Sequence, residues 1–454
     1  MGLASSVETA ADQAGTTAAL AGRLTRLAWS DITPEAATVA KQCLLDWLGV
    51  AIAARDEPLV QILLEEFAEG GESTIIGSRH RARLHDAVLI NGALSHALDF
   101  DDVITAMNGH PTVPVAPVAI GLAEAMGSSG RDALLAFIAG VETECRVGRL
   151  LGPSHYAKGW HATATYGTFG AMAAAARLMG LDDEQTRHAF GLAGTQAAGL
   201  KSVFGTMSKP LHAGKAAQNG LLAARLAARG FTSDADILDS DQGFAAVQST
   251  SVNREAALAE PAQGFYVADA LFKYHAACYL THNAIEAASG LRAVHGLELA
   301  DIEAVRVHVN PGHMGVCNIA EPRTGLECKF SLRMTTALAL AGEDTFQETL
   351  FSDQTASRQD LVALRRRVSV TPDAAGPGST VEIQLKDGRV LADTVDVARP
   401  VRDLAAQQKQ LERKFRHLAE PALGAATASE IVDICGNLET APDVAGLLAL
   451  CRPS

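Results

Sequence analysis

The chain lacks organised cysteine. Cys43, Cys145, Cys278, Cys317, Cys328, Cys435 and Cys451 are scattered, odd in number and never in CxxC spacing. That pattern excludes a disulfide framework and a cysteine zinc site, and a reduced, cytoplasmic setting is expected. HExxH and His-x-His are also missing, so no metal is expected. GxSxG, GxGxxG and the phosphate-binding loop are absent too, which removes the common hydrolase, dinucleotide and nucleotide readings. Positive charge is in deficit, with 38 Lys+Arg against 52 Asp+Glu and a formal net charge of −14. Neither a nucleic-acid surface nor an anionic membrane is an expected partner. A locally cationic pocket for a small anion remains compatible with that balance. No clean bilayer span is present either, because the apolar run 111–126 contains Pro114, Pro117 and Glu124. The first fifteen residues carry acids and no basic region, unlike a signal peptide. Gly2 with Ser6 fits the loose acylation pattern, which short Gly/Ser/Ala leaders meet by chance.

What is present is alanine-rich helical patterning over most of the chain. At 454 residues the expectation is two domains. Thr33-Pro34-Glu35 is a helix start, with a capping hydroxyl, a proline at the first helical position and an acid near the dipole. Helical patterns then cover 86–98, 115–125, 131–150, 165–179 and 183–198. Small residues on most faces predict closely packed helices in a wide bundle. After residue 274 the character changes. A helix over 281–291 precedes period-two alternation at 302–310, 367–371, 380–385 and 390–397, with Lys386-Asp387-Gly388 as a hairpin turn. Helices over 330–341 and 357–364 complete a smaller α+β unit, and the tail returns to helix at 407–418, 427–436 and 441–450. The expected fold is therefore mainly α: a large helical domain, 1–273 with 403–454, and a smaller α+β domain, 274–402.

The polar residues gather in four places. KSVFGTMSKPLHAGKAAQNG, 201–220, sets Ser208, Lys209 and His212 among glycine and alanine. Gly205 and Pro210 predict a bend there, feeding a helix over 214–229. A lysine and a histidine near a helix N-terminus suggest a carboxylate pocket. His96-Ala-Leu-Asp99-Phe-Asp101-Asp102 precedes a loop ending in His110-Pro111, and Gly159-Trp160-His161 starts a helix. Lys273, His275 and His282 lie at the change of domain. Each has a plainer reading: aspartates that cap a helix, turn chemistry before proline, a satisfied buried histidine, a solvated lysine. Asp, His and Lys without a metal or nucleophile motif suit proton transfer on an activated carbon acid, which needs a positioned base and cationic donors for the developing charge.

The motifs LLDWLGVAIA (44–53), NGALSHALDFDD (91–102), HPTVPVAPVAIGLAEA (110–125), GWHATATYGTFGAMAAAARLMGL (159–181), GTMSKPLHAGKAAQNG (205–220), FKYHAACYLTHNAIEAA (272–288) and KFSLRM (329–334) run in order through nearly the whole chain. In them the sequence resembles the MmgE/PrpD family, which includes 2-methylcitrate dehydratase, cis-aconitate decarboxylase and iminodisuccinate epimerase. The resemblance implies a helical domain with an α+β lid, usually a homodimer, an active site in the cleft between domains, and no metal or organic cofactor. It implies a small di- or tricarboxylate substrate and lyase or isomerase chemistry. Asp99, His110, His161, Lys209 and His282 take the catalytic positions, with Ser208 and Lys273 as substrate-binding candidates. Two positions depart from the decarboxylase pattern. Val103 stands where a threonine follows the aspartates, with a longer loop to His110, and VCNIAEP, near Asn318, covers the region of a pocket tyrosine. Dehydration leads this reading, with epimerisation, decarboxylation and a non-catalytic carboxylate-binding role as alternatives.

Overall fold

The computed structural model describes residues 15–374, 376 and 378–453. The leader motifs read above lie outside the described residues. The chain divides into two compact units, one of residues 15–97, Asp101–Phe272 and 401–453, the other of Leu98–Phe100 and Lys273–Pro400.

The first unit is helical: α1 Thr16–Arg26, α2 Pro34–Ala53, α3 Pro58–Phe67, α4 Leu84–His96, α5 Thr112–Met126, α6 Gly130–Ala157, α7 Ala162–Met179, α8 Asp183–Gly194 and α9 Ser208–Ala227. Thr33 caps α2, its hydroxyl accepting the Ala36 N–H at 3.2 Å. The run 131–150 extends to Ala157 because only Gly152 leaves helical geometry, at φ 59°, and the helix resumes at Pro153. Glycine bears that angle without strain. The central helices touch backbone to backbone. A methyl group on Gly214 of α9 would lie 2.1 Å from the Leu89 carbonyl of α4, and one on Gly92 would lie 2.8 Å from Gly214 Cα. This crossing sits one turn before the end of α4 and nearly two turns into α9, so it sets the separation of His96 from Lys209 and His212. One described helical stretch, Pro34–Asp56, is long and apolar enough to cross a membrane. Its apolar window is 78% buried inside the protein, as in a core helix.

The second unit holds α10 His282–His295, α11 Leu332–Ala341 and α12 Gln359–Arg365 around a sheet of β1 Ile302–His308, β2 Val368–Thr371, β3 Ser379–Leu385 and β4 Val390–Val395, in the order β2-β1-β3-β4. β1 and β2 run parallel, with Val305 opposite Val368; β1–β3 and β3–β4 are antiparallel. Val305, Val307, Val381 and Ile383 are buried and share one face, so period two is set by one-sided burial. The hairpin turns at Gly388, φ 88°.

The tail, α13 Leu404–Leu423, α14 Ala425–Gly436 and α15 Ala445–Leu450, belongs to the first unit. α13 lies along α2: Gln407 Nε2 donates to Gln42 Oε1 at 2.8 Å, and Lys414 Nζ meets Asp46 Oδ1 at 2.6 Å. Both members of that ion pair are buried.

Candidate active site

The end of α4 and the loop leading to α5 converge on one carboxylate. His96 Nδ1 lies 3.0 Å from both oxygens of Asp101, and His110 Nδ1 lies 2.9 Å from Oδ2. The two rings meet edge to face at 4.6 Å. Local structure places His110. The Ile104 N–H donates to the Gly109 carbonyl at 3.0 Å and Asn108 takes φ 50°, closing the loop, while the His110 N–H donates to Thr163 Oγ1 at 3.0 Å. Burial would raise the Asp101 carboxyl, but the imidazoles of His110 and His96 hold it well below its ordinary value. Burial lowers His96 to about 4, against the pull of Asp101. At neutral pH the pair is a neutral imidazole beside a carboxylate.

His161 is the N-cap of α7 and is almost fully buried. Its Nδ1 lies 3.1 Å from His212 Nδ1, its ring stacks on His96 at 6.1 Å, and the edge of Phe204 meets it at 4.9 Å. Lys209 Nζ sits 5.6 Å over the same Phe204 ring. Burial, with His96, Lys209, His212 and His110 adding in that order, holds His161 well below its ordinary value. The bend expected around Pro210 does not form as such. Helix α9 already begins at Ser208, so Ser208, Lys209 and His212 all stand in its first two turns. Pro210 is tolerated because first-turn N–H groups have no helical acceptor to lose. Ser208 is half-buried and Lys209 buried. Cationic side chains at helix N-termini run against the helix dipole, an arrangement that an anion would relieve.

In the second unit Asp99 adopts φ 53°, a left-handed angle that aspartate tolerates better than most residues. Its carbonyl and its Oδ1 both accept from the buried Lys273 Nζ, at 2.6 and 3.0 Å. The carboxylate bonded to both His96 Nδ1 and His110 Nδ1 is that of Asp101. His282 opens α10, with Nε2 donating to the Ala277 carbonyl at 3.1 Å and its ring 5.0 Å from His275. Asn318, in the region where the decarboxylase pattern has a pocket tyrosine, accepts from the Arg333 guanidinium.

Behind Asp101 the chain changes chemistry. Asp102 Oδ2 accepts from Thr112 Oγ1 at 2.6 Å, and the Cys43 thiol bonds the same carboxyl. Burial, then Asp46 and Asp101, raise Asp102 to about 7. Glu144, buried and raised well above its ordinary value by burial and by Asp102, completes this pocket.

His96, Asp101 and His110 offer donor atoms within 4.8 Å of one another, a set a divalent cation would fit. Among the described residues there is also a cavity of about 330 Å³ between α1 and α6. Its charges answer one another: Arg146 with Glu142 at 2.6 Å, and Arg23 with Glu260.

A mainly helical chain whose imidazoles, carboxylate and lysine gather at helix ends has the makeup of an acid–base enzyme. The MmgE/PrpD N-terminal domain matches residues 18–256 and the MmgE/PrpD C-terminal domain residues 275–440, so the chain belongs to the MmgE/PrpD family and is an enzyme of its lyase or isomerase type. It is 27% identical to a cis-aconitate decarboxylase of Aspergillus terreus over 96% of both chains. To human cis-aconitate decarboxylase it is 28% identical, over 91% of this chain and 89% of the relative. The mouse enzyme of that name is 27% identical, over 96% and 93%.

Proposed function

We propose that the protein acts on a small di- or tricarboxylate by proton transfer next to a carboxylate, as a dehydratase of the 2-methylcitrate type. The observation that carries this is the gathering of a buried neutral imidazole and an ammonium group at helix N-termini, His161 at α7 and Lys209 at α9, beside the Asp101–His110 pair. Lys209 holds a substrate carboxylate and the enediolate-like charge that grows as the proton leaves. His161, neutral at pH 7, is the base. His110, held against Asp101, is the acid beside the departing hydroxyl. Asp99, Lys273, Ser208 and His282 belong to the same reading as binding and orienting groups. The proton chemistry runs on these side chains without a resident metal.

Decarboxylation is the second reading, favoured by the relatives, whose names all carry cis-aconitate decarboxylase. Val103 and Asn318 weigh the other way. Proton NMR in D2O with 2-methylcitrate, citrate, cis-aconitate and iminodisuccinate, with and without EDTA, separates them. New alkene signals from a hydroxy acid establish dehydration, loss of a carboxyl group decarboxylation, and deuterium exchange without net conversion epimerisation. Turnover lost in EDTA and restored by a divalent cation would overturn the metal-free mechanism. Silence on all four acids would reject these activities in favour of a carboxylate-binding role.

A further inference from the structure

We infer that His212 is a positioning residue that sets the tautomer of His161 and carries its charge outward. The inference rests on the acid–base reading of His161 given above. The two Nδ1 atoms face each other at 3.1 Å. One proton must lie between them, since two lone pairs would repel and two N–H groups would clash. With His161 as donor, its Nδ1 carries the proton and its Nε2, on the diverging side of the ring, is bare and basic. His212 then carries its own proton on Nε2. When His161 Nε2 takes a proton from substrate carbon, the Nδ1 proton passes to His212 Nδ1. His161 is left neutral with N–H on Nε2, and the positive charge rests on His212, which releases its Nε2 proton to solvent.

The surroundings favour that direction. His161 is nearly fully buried at a helix N-terminus, and it faces His96 from α4, His110 from the preceding loop, and Lys209 and His212 from α9. An imidazolium there is costly. His212 is only half-buried, and burial alone lowers it, whereas His161 is lowered further by burial together with four neighbouring groups. Gly199 holds the pair together. Its carbonyl accepts the His161 N–H at 2.9 Å, and a methyl group on its Cα would come 3.2 Å from His212 Nδ1 and 2.5 Å from Ala164 Cβ. At φ 146° that position suits glycine.

Histidine-selective 15N labelling of the full chain reads the tautomer directly, without substrate. In the unsubstituted protein His161 is expected to show N–H on Nδ1 and a bare Nε2. His212→Leu removes the acceptor and should move the proton to Nε2, with kcat lower by about 10²-fold. His212→Gln still accepts from Nδ1–H but cannot take the proton. It should keep the tautomer, recover part of the rate and shift the pH profile of kcat/KM. A bare His161 Nδ1 in the unsubstituted protein, or a tautomer unchanged in His212→Leu, overturns the inference. Should none of the four acids turn over, the proposed reaction falls, while the 15N spectra still decide whether His212 sets His161.

Discussion

On one side of the Asp101–Asp102 peptide a carboxylate meets two imidazoles; on the other, a carboxyl meets a hydroxyl, a thiol and, through space, Glu144. Both aspartates are almost completely buried. Burial pushes both pKa values up, but only Asp101 has imidazole partners whose hydrogen bonds and charge interaction outweigh the desolvation, so it stays ionised while Asp102 titrates near 7. Adjacent residues of one type thus divide into an ionised carboxylate and an acid that holds its proton to about pH 7. What separates them is the chemistry of their partners, since their exposure is the same.

The largest way to break that contrast is Asp101→Asn. It leaves His96 and His110 without their anion and should lower kcat by about 10²–10⁴-fold. A fall of less than about fivefold in a folded protein would make the Asp101 side as passive as the other. Lys209→Met tests the cation on the same side. About a 10²-fold loss of kcat/KM is expected, with a thermal midpoint near that of the unsubstituted protein. An unchanged kcat/KM would remove Lys209 from substrate binding.

Asp102→Asn sharpens the comparison from the opposite side. The native carboxyl keeps its proton to about pH 7, whereas the unfolded one loses it near 4. Between those values the native state holds more protons, so this group's contribution to stability falls with rising pH by about 1.4 kcal/mol per unit and levels off above 7. Asparagine mimics the protonated acid and escapes the loss. The variant's stability relative to the parent should therefore climb from pH 4 to 7 in denaturant titrations, with activity within fivefold. A pH-independent difference would show Asp102 ionised in the native state. The smallest effect belongs to Cys43→Ala, which deletes the thiol bonded to Asp102. It should cost about 1 kcal/mol, leave activity unchanged, and fail as a prediction if kcat moves tenfold.

Much of this was legible beforehand. Thr33-Pro34 opens α2 because cap chemistry is local, and Gly388 turns the hairpin because the sequence offers one cheap left-handed position. The mainly helical class followed from patterning, and His161 was already placed at a helix start. The bonding of Asp101 to both His96 and His110 was not legible. It depends on the left-handed turn at Asp99, which interrupts the helical spacing from His96. The role of Asp101 then appears only once a loop returns His110 beside it. His212 was visible in the motif, but its partner lies 51 residues away. The start of α9 was misjudged because proline reads as a breaker wherever it falls, and only the finished helix shows Pro210 inside the first turn.

The Gly92–Gly214 crossing gives the site a property that its polar residues do not supply. The gap between His96 at the end of α4 and Lys209 and His212 of α9 is measured by main chain against main chain, with no rotamer in between to soften it. Such a joint behaves as a fixed spacer. Side chains elsewhere in the bundle can be exchanged without changing the distance it sets, whereas a single methyl group at the joint would alter that distance while touching neither the substrate nor any residue that handles it.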